Sequence, residues 1–129
     1  MILSTTAVND ILDNGMKALF NSGTLEFRTG AAPANADTVA SGTLLGTATF
    51  GSPAFGVAAS KIITANAITQ DSSTDAAGDV GYVRAYESDA SVIGDLSVGL
   101  TGSGAEVEMA SITIAALGTL SVTSMTITQ

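Results

Sequence analysis

The first part of the chain carries apolar residues at helical spacing. Over residues 1–22 they recur three and four positions apart, which places them on one face of a helix. This apolar stripe consists of Val8, Ile11, Leu12, Met16, Leu19 and Phe20. Ser4, Thr5 and Thr6 offer N-caps before the stripe, and Gly23 can take the left-handed conformation that ends helices. The pattern predicts an N-terminal helical arm over residues 1–22.

From residue 23 onward the apolar period changes from helical to alternating. Short alternating segments are separated by clusters of Gly, Ser, Asp and Asn, a pattern typical of strands and turns. The expected strands cover residues 25–29, 44–50, 61–69, 80–87, 92–100, 107–109, 112–114 and 119–128. A long loop is expected at 31–42 and a hairpin turn at 88–91. Because the helix precedes every strand, we expect a mainly β fold, an antiparallel β-sandwich or jelly roll over residues 23–129 with one N-terminal helix.

The last strand contains a change of parity. Leu120 and Val122 share one parity, whereas Met125 and Ile127 share the other. A regular strand sends these two pairs to opposite faces of its sheet. We expect a bulge or bend near residues 123–124, which keeps all four side chains on one core. The alternative is a strand buried on both faces.

The apolar stripe of the helix needs a cover, and the sequence leaves two covers open. One is the β-sheet of the same chain, and the other is a neighbouring protein or protomer. Gly15, in the middle of the helix, leaves a similar choice. It either permits close approach of another backbone or is merely tolerated, at a cost of about 1 kcal/mol relative to Ala.

Composition changes this picture in one respect. Hydrophobic residues make up 46% of the chain, but aromatic residues only 5%, and Trp is absent. Much of the apolar share is therefore Ala and Val, which bury less area than Leu or Phe. We expect a monomer of modest stability, with assembly supplying part of the burial.

The charge balance disfavours several classes of partner and chemistry. Twelve acidic residues against four basic ones give a net charge of −8, which repels phosphate backbones and offers no basic cluster for anionic membranes. The chain contains neither Cys nor His, so it lacks thiolate ligands, imidazole ligands and the commonest general base. No signal peptide or membrane span is expected. We expect no cofactor and no enzymatic activity.

Three groups of residues remain as candidates for chemistry. A catalytic Ser–Lys pair through Lys17 or Lys61 is formally possible. In a chain with so many serines, however, a serine is expected to lie near a lysine by coincidence. Glu106 and Glu108 form a carboxylate pair, but a solvated strand face explains them better than a hydrolytic cleft. An acidic turn, with Asp71, Asp75 and Asp79, suggests calcium, although its spacing is not that of an EF-hand and a solvated loop is the default. We therefore predict no metal site.

Tyr82, Arg84 and Tyr86 alternate along one strand and form a modest binding signature. Tyr and Arg are enriched at protein interfaces. A cross-strand aromatic pair on a partly covered sheet face explains the pattern equally well. Together with the six residues of the apolar stripe, these three are the candidate protein-interface residues.

Several stretches, taken in order, resemble a family of small structural proteins from tailed-bacteriophage particles. The matching stretches are 3–7 with Asn9, 23–30, 33–35, 41–45, 53–56, 64–66 with Ile68, and 121–128. Each is made of common small residues, so their joint order over most of the chain carries the resemblance. The chain departs from the family pattern at residues 88–91, where a Gly expected in the hairpin turn is missing.

The resemblance implies a structural part of the virion and no catalytic activity. The first expectation is a capsid decoration, or cement, protein that forms a homo-oligomer, with a trimer favoured, and contacts the major capsid protein. The second is a neck, collar or tail accessory protein. A third hypothesis, from another class, is a carbohydrate- or calcium-binding β-sandwich module for host attachment, suggested by Tyr82, Tyr86 and the acidic turn.

Overall fold

The N-terminal helix begins and continues as its sequence predicts. The computed structural model describes all 129 residues. It shows a continuous helix in three parts: α1 Thr5–Ile11, a π-helical segment Leu12–Met16, and α2 Lys17–Phe20. The Ser4 hydroxyl accepts a hydrogen bond from the Ala7 N–H at 3.2 Å, so Ser4 is the N-cap among the three expected candidates. None of the chain's helical segments has the length and hydropathy needed to span a bilayer.

The end of the helix differs from the expectation. Ser22, with φ 57°, takes the left-handed conformation that we expected of Gly23. Gly23 serves another purpose, because a Cβ at this position would lie 2.2 Å from the Tyr86 carbonyl oxygen. Gly23 therefore permits close approach of two backbones.

The β-structure consists of eleven short strands. Their bounds are β1 Thr24–Arg28, β2 Leu44–Phe50, β3 Ile62–Thr64, β4 Ile68–Thr69, β5 Gly78–Asp79, β6 Tyr82–Tyr86, β7 Val92–Leu96, β8 Val98–Leu100, β9 Val107–Met109, β10 Thr113–Ile114 and β11 Ser124–Thr128. Two of the expected strands, 61–69 and 92–100, are each divided in two. In both, the two halves pair with different neighbours, which sequence alternation does not reveal.

The strands form two main sheets around one core. A fully antiparallel sheet has the order β4-β2-β1-β6-β7. The second has the order β3-β11-β9-β8, in which β8 and β9 are parallel, and β5 pairs with β10 separately. The prediction of a mainly β, sandwich-type fold with one N-terminal helix is confirmed.

The parity change in the last strand corresponds to a bend. The chain bends at Thr123, and β11 begins at the following residue. Before the bend, Leu120 forms an isolated bridge with Asp71, while after it Met125 and Ile127 are buried in β11. The bend lets side chains of both parities reach one core, as predicted.

The helix belongs to this same core. One cluster of 21 buried residues includes Val8, Leu12 and Phe20 together with side chains from both sheets. The Phe20 ring packs edge-on against Phe50 and Phe55, with ring centroids 5.5 and 5.1 Å apart. The buried part of the helix's apolar stripe is thus covered by the β-structure of the same chain, one of the two covers considered in the sequence analysis. Residues 1–22 and 23–129 share one core.

Polar side chains on the helix also fasten it to the loop at 54–61. Asn9 and Asp13 accept hydrogen bonds from the backbone N–H groups of Lys61 and Ala58, both at 2.9 Å. Near the helix end, the Asn21 amide oxygen accepts one from the Ala54 N–H at 2.9 Å. These bonds orient the helix, whereas the apolar stripe supplies the burial.

Candidate functional site

The Tyr82-Arg84-Tyr86 signature lies on a strand in the interior of the larger sheet. Strand β6 has β1 on one side and β7 on the other. Val83 and Ala85 face the core and are fully buried. The opposite face carries Tyr82 and Arg84, and both are only 2% exposed. It is thus more fully covered than the partly covered face considered in the sequence analysis. The cover on this face is the loop at 31–42.

Arg84 is held by an ion pair and by the loop. Its Nε and Nη2 donate to the two carboxylate oxygens of Asp95 on the neighbouring strand β7, at 2.6 and 2.9 Å. Its Nη1 donates to the Thr38 carbonyl oxygen at 2.6 Å. Hydrogen bonding to Asp95 raises the pKa of Arg84 above its ordinary value, against the opposing effect of burial. All three guanidinium nitrogens therefore have a hydrogen-bond partner inside the chain.

Tyr82 fastens the same loop at a second point. Its hydroxyl donates to the Ser41 carbonyl oxygen at 2.8 Å and accepts from the Ser41 N–H at 2.9 Å. A phenol that satisfies both backbone groups of one residue holds that residue in a single orientation. Tyr82 and Arg84 thus clamp the loop at 31–42, and neither presents an open surface to a partner.

Tyr86, at the end of the strand, is only half-buried. Burial, followed by a hydrogen bond to Glu26, raises its pKa above the ordinary value for tyrosine. Glu26 also accepts from Arg28 Nη2 at 3.2 Å, while the buried Arg28 Nε has no hydrogen-bond partner. Tyr86, Glu26 and Arg28 are all partly exposed, so a ligand can reach them.

Two concavities adjoin at this point. The larger, about 580 Å³, lies between the loop at 36–40 and the sheet, and includes Val39 and Val92 in its lining. The smaller, about 380 Å³, extends toward the hairpin turn and includes Glu26 and Ser88. Arg28 and Tyr86 line both. With one aromatic ring and mixed charges, this surface can donate and accept hydrogen bonds to a small polar ligand.

The acidic turn does not bring its carboxylates together. Asp71 accepts from the N–H groups of Thr47 and Ser73, both at 2.9 Å. Asp79 accepts from the Thr113 hydroxyl at 2.8 Å, and Asp75 is exposed. Nowhere does the structure gather three or more Asp or Glu residues in a geometry that could hold a metal ion.

The two other candidate groups also serve structural contacts. Glu106 Oε1 accepts from the N–H of Ser97, just before β8, at 3.0 Å. Glu108 Oε2 accepts from the Gly104 N–H at 2.9 Å, in the connection between β8 and β9. Lys17 forms an ion pair with Asp13 at 2.9 Å. That bond, reinforced by the Ala58 N–H, lowers the pKa of Asp13 below its ordinary value.

The helical candidates divide between the core and the surface. Val8, Leu12 and Phe20 are buried and Met16 is half-buried against the core, so this face of the helix is already covered. Ile11 and Leu19 are 54% and 39% exposed. Of the residues proposed as an interface, Ile11, Leu19 and the half-buried Tyr86 are the ones accessible in the structure.

Sequence reasoning missed the residues that complete the clamp. Asp95, Thr38 and Ser41 are brought to Tyr82 and Arg84 from separations of 11 to 46 positions. Asp95 had a detectable signal, since it is the sole charged residue on a strand expected to pair with β6. Thr38 and Ser41 contribute backbone carbonyls, for which residue identity gives no signal.

Comparison with known proteins adds no relative. No protein-family model matches the chain, and searches of curated proteins and of solved structures found no match.

Proposed function

We propose that this protein is a structural component of a tailed-phage particle. In this proposal it acts as a capsid decoration protein, binding the major capsid protein as a homo-oligomer and stabilising the shell through protein contacts. The ordered resemblance over most of the chain suggests the particle, and the distribution of side chains on the fold supports a role in binding rather than in chemistry.

One observation carries the binding role. Polar groups suited to chemistry are used to hold the chain's own loops: Arg84 and Tyr82 clamp the loop at 31–42, and Asp71 orders the acidic turn. The large apolar residues that stay exposed include Ile11 and Leu19 on the helix and others on loops and sheet edges. Covering these side chains with another protein would remove apolar area from water, which is favourable.

The proposal is tested by reconstitution, with the purified chain and particles that lack it. The chain is added to shells that lack it, and the particles are imaged after free protein is removed. Decoration predicts density at symmetry-related positions over the whole shell, together with a higher temperature of shell disruption. A single ring of density at the neck or tail would favour an accessory protein, and absence of binding would reject both.

A glycan-binding role is a second candidate, favoured by the two adjoining concavities lined by Arg28 and Tyr86. Tyrosine faces and mixed hydrogen-bonding groups suit a sugar. Titration calorimetry with a set of glycans should then give saturable heat that Tyr86→Ala abolishes. Only heat of dilution from every glycan would remove this candidate.

A further inference from the structure

The two arginines of the chain lie on the same face of the larger sheet. Alternation along β1 and β6 turns Arg28 and Arg84 away from the core, and both line the larger of the two concavities. The chain has only four basic residues against twelve acidic ones. Half of its basic residues therefore meet at one depression of an otherwise acidic surface.

These two arginines differ in how well the chain satisfies them. All three nitrogens of Arg84 donate at 2.6–2.9 Å. Arg28 donates from Nη1 to the Gly42 carbonyl oxygen at 3.4 Å and from Nη2 to Glu26 at 3.2 Å, and its buried Nε has no partner. Hydrogen bonds from a guanidinium to a carboxylate are usually about 2.7–2.9 Å long. Arg28 thus lacks the close acceptor that Asp95 gives to Arg84.

The surroundings of Arg28 favour a singly charged anion as the missing acceptor. The Glu26 carboxylate also accepts from Tyr86, so it is shared between two side chains. Asp37, which is exposed, is the one acidic residue in the lining of the larger concavity. Because a net charge of −8 repels every added negative charge, a carboxylate is favoured over a phosphate. Its two oxygens match the paired nitrogens of a guanidinium.

The smaller concavity favours hydrogen-bond donors on the same ligand. It is lined mostly by polar residues, among them Thr24, Glu26, Glu87 and Ser88. Carboxylates only accept hydrogen bonds, so the two glutamates suit hydroxyl groups and disfavour a second acidic group. Tyr86 lines both concavities, and its ring offers an apolar surface beside these polar groups. A ligand with one carboxylate, several hydroxyls and an apolar face is an acidic sugar.

We propose that the two concavities bind a carboxylate-bearing sugar, such as a uronic or sialic acid residue of a glycan. Arg28 binds the carboxylate through Nη1 and Nη2, each of which has a second N–H group beside its present bond. Glu26 and Glu87 accept from the hydroxyls, and Tyr86 packs on the sugar ring. An acidic peptide would also supply a carboxylate, but it brings few hydroxyls to the glutamates. The inference rests on the glycan-binding candidate and names its class of sugar.

Titration calorimetry of the wild-type chain with two matched pairs of sugars tests the inference. Cellobiouronic acid is compared with cellobiose, and sialyllactose with its methyl ester, so that each pair differs in the carboxylate. At least one acidic sugar should bind about tenfold more tightly than its neutral counterpart, because its bonds to Arg28 are charge-assisted.

The outcomes separate this inference from the glycan-binding candidate. Equal affinities within both pairs, or binding of neutral glycans alone, would overturn the inference and leave the glycan role standing. No binding of any glycan would overturn both. A short peptide of aspartate and serine that binds more tightly than every acidic sugar would assign the site to a protein partner and overturn the inference.

Variants at Arg28 assign the carboxylate to its guanidinium. Arg28→Gln should lower the affinity for the acidic sugar to that for its neutral counterpart. Lys61→Gln removes the same charge outside both concavities and should keep the preference. Arg28→Lys keeps a positive charge beside Glu26 but loses the two parallel bonds, so its affinity for the acidic sugar should be intermediate.

Circular dichroism establishes that each variant is folded. A preference for the acidic sugar that survives Arg28→Gln, or that Lys61→Gln lowers equally, would refute the role of Arg28. If Arg28→Gln does not fold, Arg28→Lys decides, and undiminished affinity of that variant for the acidic sugar would refute it.

Discussion

The Arg84–Asp95 ion pair shows how one buried charge depends on its partner. Arg84 is only 2% exposed and its guanidinium donates to both carboxylate oxygens of Asp95. A charge in such a position is stable because its partner and the Thr38 carbonyl replace water. Removal of Asp95 would leave the cation buried and uncompensated.

Asp95→Ala is therefore expected to lower the free energy of unfolding by about 3–5 kcal/mol, the typical cost of breaking a buried pair. Urea denaturation at neutral pH measures the change. Asp75→Ala makes the same change of charge at an exposed position and should have little effect. Equal losses in the two variants would show that net charge, and not the buried pair, sets the stability.

Asp13 links stability to pH. Its pKa lies below the ordinary value of 3.8, chiefly because of Lys17 and then the Ala58 N–H. A carboxyl whose pKa is lowered by folding stabilises the folded state above its unfolded pKa, and the contribution is lost as pH falls through the folded pKa. Asp13→Asn should therefore be less stable than the wild type at neutral pH, with the difference closing well below pH 3.8. Urea denaturation at neutral pH and well below pH 3.8 measures the free energy of unfolding of both proteins. The same difference at the two pH values would contradict the role of the ion pair.

Replacing the glycine inside the helix and the glycine after it should change the protein's stability in opposite directions. A Cβ at Gly15 would meet nothing within 4 Å, so this glycine permits no close approach within the chain. Gly15→Ala is expected to raise stability by about 0.5–1 kcal/mol, because Ala loses less backbone entropy in a helix. Gly23→Ala should instead destabilise the protein, since its Cβ would lie 2.2 Å from Tyr86 O. The change in melting temperature of each variant tests these two predictions. Changes of the same sign in both variants would refute them.

Two side chains of β6, rather than a hydrophobic anchor, fasten the loop at 31–42 to that strand. Val39 within it is 87% exposed, while Tyr82 and Arg84 bind its backbone at Ser41 and Thr38. An element held by a few hydrogen bonds opens at low free energy when one is removed. The conformation of this loop therefore depends on the clamp.

Tyr82→Phe keeps the ring but leaves both backbone groups of Ser41 without the phenol. We expect a loss of about 1–3 kcal/mol for the two hydrogen bonds, at about 0.5–1.5 kcal/mol for each. Hydrogen exchange followed by mass spectrometry should show faster exchange within 31–42 and unchanged protection in β1 and β2. Unaltered exchange of the loop would show that other contacts order it.

The whole molecule depends on a core that the helix completes. Phe20 is 1% exposed and packs on two aromatic rings of the sheet region, and Leu12 is fully buried. Truncating a buried Leu or Phe costs about 2–5 kcal/mol. Two such losses approach the entire stability of about 5–15 kcal/mol that is usual for a domain.

Deletion of residues 1–22 should therefore leave a chain that is unfolded or loosely packed. Near-ultraviolet circular dichroism and binding of a hydrophobic dye measure this outcome. Deletion of residues 1–3 is the control, since Met1 and Ile2 are fully exposed and Ser4 keeps the helix cap. A cooperatively folding fragment 23–129 would show that the helix is an appended arm after all.

Local order along the chain was enough to predict the helix, most strands, the turn at 88–91 and the bend at Thr123. These features follow from periodicity and from residues whose conformational preferences act over a few positions. The same reasoning predicted that Tyr82, Arg84 and Tyr86 share a face, because alternation along a strand requires it.

What covers each face was decided by tertiary structure alone. Alternation cannot distinguish a strand face open to a partner from one clamped by a loop that lies 41 to 46 positions away. Nor can it show that residues 92–100 pair with two different sheets, since pairing depends on distant backbone groups. Periodicity records which side of an element is apolar, and only the folded chain determines what lies against it.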